Sequence, residues 1–176
     1  MRSTRGPGEP AGLPGDPAAD PATWTLPRLR IDADGGWLHE DAEVTHPGIL
    51  ASLRASLRVD DEGYHLRVGP ARIPVTVDDA PYAVVQLQPA PGGFGLVLSD
   101  GTREALALET LILGPGEVPY CRVKGGRFPA RLSRAAAWTL LQHAEDTGAE
   151  TLVLRLPGGG QHPVPRGPRP VPAAAG

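Results

Sequence analysis

Asp78 and Asp79 stand side by side in VDDAPY, residues 77–82. Two close carboxylates can hold a divalent metal or divide acid and base work between them. Adjacent residues on a strand point to opposite faces, however, so the pair separates unless a bulge intervenes. Pro81 biases Ala80 toward extended geometry and cannot donate to a central ladder. Aspartates here also bond the backbone just ahead of them, which favours a turn. The stretch therefore predicts a kinked corner between two strands. The chemical alternative joins Asp78 and Asp79 to a strand histidine, His39 or His65, as a hydrolase-like enzyme with or without a divalent metal.

A second candidate is cationic. Arg122, Lys124, Arg127, Arg131 and Arg134 fall within thirteen residues without one acid among them. Arg122 and Lys124 share a strand face, and Ser133 opens a predicted helix whose N-terminus favours anions. The corresponding earlier hairpin carries Glu40, Asp41 and Glu43 and no Lys or Arg. A hollow lined by Arg122, Lys124, Arg127 and Arg131 would hold a phosphate, a carboxylate or an acidic partner segment. The plainer reading is a solvated face, or pairing between the two halves.

Other chemistries fail on spacing. DADGGWLHEDAE has acids at calcium-loop positions, but Trp37 stands where that loop needs glycine. None of the five histidines lies four residues from another on a predicted helix, and there is no HExxH. There is no GxSxG, and Cys121 alternates within a strand as a small buried thiol would. The glycines of GPGEPAG have no strand before them and cannot cradle phosphate. No cofactor or resident metal is expected.

The elements that must position these groups are short strands and two helices. GWLHE and AEVT predict a hairpin. Thr45 is a cap for a helix over HPGILASLRASLR, with Ile49, Leu50, Leu53 and Leu57 on one face and Arg54 and Arg58 turned away. DDEG ends it and YHLRV follows as a strand. Later, YCRVK and RFPARL are joined by Gly125-Gly126. Ser133 caps RAAAWTLLQHAED, with a stripe of Trp138, Leu141 and Ala144; Gly148 is its stop and TLVLRL the closing strand. The β-β-α-β order thus occurs twice, at about 36–68 and 120–156. Between the two, ARIPVTV, YAVVQLQ and the Asp100-Gly101 hairpin add strands. The fold class is α+β: a strand-rich single domain built from two such repeats.

Residues 1–27 and 157–176 hold twelve of the 21 prolines and few large apolar side chains. Such segments bury too little surface to offset the entropy of ordering them, so both are expected to be disordered tails around a domain at 28–156. Trp24 and Leu26 are the exceptions. A net charge of −3 with scarce aromatics argues against a nucleic-acid coat. The longest apolar runs are too short for a membrane span, no secretory signal is evident, and a single cysteine excludes an internal disulfide. A bacterial, cytoplasmic protein is the expectation.

RIDADGGWLHE, LRVDDEGYHLRV, IPVTVDDAPY and PYCRVKGGRFPARLSR occur in that order across residues 30–140. Together they resemble the bacterial family called domain of unknown function 1285. Its pattern runs Asp-Gly-x-Trp, Gly-Tyr, an Asp-Ala-Pro-aromatic corner, then Pro-Tyr and a Gly-rich basic strand before a helix. The resemblance implies an α+β fold with repeated motifs, no assigned activity, and a suggested place in signalling. The chain departs from the pattern where RVGPAR replaces Thr-Pro-Val-Glu: the carboxylate is gone, Arg72 lies nearby, and the middle segment is shorter.

The residues and the resemblance converge on a non-catalytic module that binds a small anionic ligand or a protein partner in regulation, with no nucleic acid and no membrane. The rivals are the hydrolase-like enzyme and a structural protein that self-associates through a sheet edge. The sequence leaves the oligomeric state open.

Overall fold

The computed structural model describes residues 26–147 and 151–172. Twelve strands form two six-stranded sheets, and three more form a small third sheet. The first sheet contains β1 (Leu29–Ile31), β2 (Trp37–His39), β3 (Ala42–Glu43), β4 (Leu57–Asp60), β5 (Gly63–Val68) and β6 (Ala71–Val77). Its spatial order is β3-β2-β1-β6-β5-β4, antiparallel except for the central pair β1–β6. Helix α1 (Pro47–Ser56) connects its two halves.

The second sheet contains β7 (Tyr82–Ala90), β8 (Gly93–Leu98), β9 (Arg103–Ala105), β10 (Ile112–Leu113), β11 (Pro119–Val123) and β12 (Phe128–Leu132). Its order, β10-β11-β12-β7-β8-β9, is the first order again: a three-strand meander, a crossover, and a second meander whose last strand runs parallel to the first. The central registers match. Ile31 faces Val77 with Asp78 N donating to Ile31 O, and Val84 faces Leu132 with Ser133 N donating to Val84 O. In the second crossover a 3₁₀ turn, Leu108–Thr110, stands where α1 stands in the first.

After β12 come α2 (Arg134–Leu141), β13 (Ala144–Asp146), β14 (Thr151–Arg155) and β15 (Gln161–Pro165). The expected β-β-α-β order is present in both predicted stretches, but they take different places. The first lies wholly around one sheet, whereas the second starts in the second sheet and ends in the third.

One apolar cluster joins all three sheets, with Ile31, Val84, Cys121, Ala130, Leu140, Leu154 and Val164 inaccessible to solvent. Val164 lies beyond the expected domain boundary at 156. Residues 161–165 complete the third sheet on β14, because alternation of polar and apolar residues around Val164 lets even a proline-rich strand bury one face. Expectations for residues 1–25, including Trp24, and for Gly148 fall outside the described residues.

Both helices are shorter than their apolar spacing predicts. The cap of α1 is His46, not Thr45: its Nδ1 accepts from Gly48 N and Ile49 N, and Pro47 takes the first turn. Leu57–Asp60 leaves the helix to pair with β5, so DDEG becomes the β4–β5 turn, with Asp60 Oδ1 accepting from Glu62 N. Ser133 caps α2 as expected through Ala136 N. The buried face of α2 is Ala136 and Leu140, while Trp138 is 67% exposed. Ala144–Asp146 is drawn into a strand by β14.

Candidate functional site

The acidic corner is the better-ordered cluster. The Asp79 side chain is 7% exposed and is met by Tyr120 Oη at 3.0 and 3.1 Å, Arg169 Nε at 2.9 Å and Arg131 Nη1 at 3.3 Å. Burial, then the bond to Asp79, pushes the Tyr120 phenol up. Asp78 points elsewhere and pairs with Arg30 at 3.6 Å. Gly114 lies so close to Tyr120 that a Cβ there would come within 2.6 Å of its ring. Three donors engage both oxygens of one carboxylate and tie the corner after β6 to β11, β12 and the C-terminal segment, so Asp79 serves as a structural acceptor.

The acid–histidine alternative is not assembled. His39 is on β2 and His65 on β5, with β1 and β6 between them. Three strand spacings put them about 14 Å apart. His39 pairs with Leu29 and lies exposed, whereas His65 is buried and faces Gly63 O and Asp60. No group of three or more metal-ligating side chains occurs among the described residues. Asp32, suggestive of calcium, spends Oδ1 on Asp34 N and Gly36 N inside its own turn. Burial, then the charge of Glu104, pushes the Cys121 thiol up to about 12, so it stays protonated and inert.

The structure divides the cationic candidate between two places. Lys124 and Arg127 line a groove of about 580 Å³ between α1 and the second sheet, but Arg122 and Arg131 do not. Arg122 donates to Val171 O and Gly126 O, and Arg131 serves Asp79. The reason is pleat and curl: the groove lies at the β11–β12 turn, where Lys124, Gly125 and Gly126 all take left-handed conformations and swing Lys124 off the strand face. The missing cations come from the other half. Arg54 and Arg58, expected to face solvent, line the same groove from α1 and the start of β4. Their signal in the sequence was a pair of arginines four apart on the polar face of the one helix in the first half.

Each cation is fixed differently. Lys124 Nζ meets Asp100 Oδ2 at 2.6 Å and Thr102 Oγ1, and lies 5.3 Å from the Tyr82 ring centroid. Asp100 is held by the tight turn the sequence predicted, with Thr102 N and Oγ1 on its other oxygen. Burial opposes ionisation of Asp100, but hydrogen bonds from Lys124 and Thr102 outweigh it and hold the carboxyl below its ordinary value. Arg54 Nη2 donates to Ser99 O, Arg58 Nη1 to Ala55 O and Leu57 O, and Arg127 Nε to Lys124 O. None of these three guanidiniums has a carboxylate within 4.0 Å among the described residues. The back wall is apolar, with Tyr82 and Phe128 rings 5.4 Å apart.

No family model and no curated protein sequence matches the chain. Two solved structures do match. A DUF1285 family protein from Shewanella baltica is 22% identical, with 66% of this chain and 91% of that one covered and a TM-score of 0.56. A DUF1285 family protein from Silicibacter pomeroyi is 20% identical, with 84% and 87% covered and a TM-score of 0.64. The motifs at residues 30–140 and the order of the strands therefore agree: this chain is similar to the DUF1285 proteins and has their fold.

Proposed function

We propose that the protein is a non-catalytic module that binds a small anionic ligand in the groove between α1 and the second sheet. One observation carries this reading. Arg54, Arg58 and Arg127 converge on a groove of about 580 Å³ while bonded only to backbone carbonyls. A carbonyl fixes one edge of a guanidinium and leaves its charge and other N–H groups for an anion. Elsewhere in the described chain Asp79 answers Arg131 and Arg169, and Asp60 answers Arg72. Arg122, outside the groove, is also held by carbonyls, so it is the convergence of three such guanidiniums on one space that sets the groove apart. The scattered positions of His39, His65, Asp78 and Asp79 favour binding over hydrolysis.

Thermal unfolding in rising inorganic phosphate tests this. The melting temperature should climb, less so at high ionic strength, and the rise should vanish in Arg58→Ala/Arg127→Ala. No rise, or an equal rise in the double variant, would remove the reading.

A further inference from the structure

The groove is far larger than one inorganic anion needs. Resting on the anion-binding reading, we infer that its ligand is an organic phosphate of about nucleotide size whose body is flat and apolar. Charge selects phosphate. Lys124 is already matched by Asp100, which leaves three guanidiniums facing the space. A carboxylate supplies one charge and two oxygens, whereas a phosphate monoester supplies nearly two charges and three terminal oxygens, so it meets cations arriving from two sides.

The wall selects the body. Leu50, Ala51 and Ala55 of α1, with Leu57 directly after it, share the lining with Tyr82 and Phe128 of the second sheet. A bare phosphate would leave the exposed Ala51 and Ala55 and the half-buried Leu50 against water. A flat ring buries both faces there. Tyr82 adds a second, independent sign. It is only 5% exposed and lines the groove, yet its hydroxyl has no hydrogen-bond partner among the described residues. That oxygen is not among the fully buried unpaired atoms, so it opens to the groove, where a ligand oxygen or ring nitrogen would take the place of water. Asp100, inside the same space, repels a long polyanion and so favours a single phosphate group.

Calorimetric titration with AMP, inorganic phosphate, glucose 6-phosphate and adenosine separates the claims, because the three phosphates carry similar charge. AMP should bind about tenfold tighter than phosphate or glucose 6-phosphate, a ratio that one stacked ring supplies. Tyr82→Phe, which keeps the ring and so the wall, should weaken AMP several-fold while leaving phosphate unchanged. Phosphate or glucose 6-phosphate matching AMP, or phosphate binding where AMP does not, overturns the apolar body and leaves the anion site standing. Adenosine matching AMP, or no binding by any of the four, overturns both.

Discussion

Arg72 and Arg127 hold the same place in two sheets of the same order. Aligning the central registers, Val77 with Leu132, sets RIPVTV at 72–77 on RFPARL at 127–132. In the first sheet Arg72 is closed off: Asp60 lies at 2.8 Å and Glu62 at 3.2 Å, both from the neighbouring β4–β5 turn. In the second sheet that turn is replaced by Gly-Pro-Gly-Glu, residues 114–117, whose Glu117 pairs with Arg166 instead. Arg127 is left with the carbonyl of Lys124 and the ring of Phe128. The scaffold is repeated and the counter-charges are not. A cation in the first sheet is part of the frame; its counterpart is available.

Three experiments bear on that contrast. The largest effect belongs to the corner, where every charge is used. Asp79→Ala leaves Tyr120 without its acceptor and Arg131 and Arg169 without a counter-charge, and should cost about 2–4 kcal/mol in denaturant unfolding. A loss below about 1 kcal/mol would mean the corner is not a tie, and the division into frame and available cations would lose its first half.

Next is Asp100, which lies between the two classes. Its folded carboxyl is held below the ordinary value, so its contribution is complete above the unfolded pKa of about 4 and disappears as the pH falls through the folded one. Asp100→Asn should cost about 1–2 kcal/mol near neutrality, and the gap to the parent should close as samples are acidified below about pH 4. A gap that persists in acid would assign the effect to packing.

The smallest effect is the sharpest comparison. Arg72→Ala should cost no more than about 1 kcal/mol, because Arg72 and Asp60 are about one-third exposed and Glu62 is mostly exposed, so water replaces the pairing in part. Arg127→Ala should change stability by no more than about 0.5 kcal/mol while weakening phosphate binding. Equal losses of stability would erase the distinction between the two arginines.

Much of this frame was legible in local pattern. The Asp100-Gly101 and Gly125-Gly126 turns, the Ser133 cap and the kink at Pro81 depend on neighbours within a few residues, so sequence spacing finds them. Helix ends were lost because Leu57–Asp60 and Ala144–Asp146 satisfy either a helical stripe or a strand, and pairing with β5 and β14 decides. The groove was half legible. Lys124 and Arg127 were visible as a local cluster, but nothing near them in the chain points to Arg54 and Arg58, some seventy residues earlier. The recurrence of Arg-x-Pro in two strands would have aligned the sheets and set the three acids of DDEG against the single glutamate of GPGE.

The prolines that made the last segment look unable to fold have another effect on β15. Residues of an antiparallel pair that exchange both backbone bonds need an N–H, so Pro163 and Pro165, opposite Val153 and Thr151, must take the alternate positions whose nitrogens face outward. Up to the point where Arg166 bridges to Leu113 of β10, the outer margin of that strand therefore lacks the donors of residues 163 and 165. A second chain sliding alongside would find a ladder short of two donors, which disfavours its extension there.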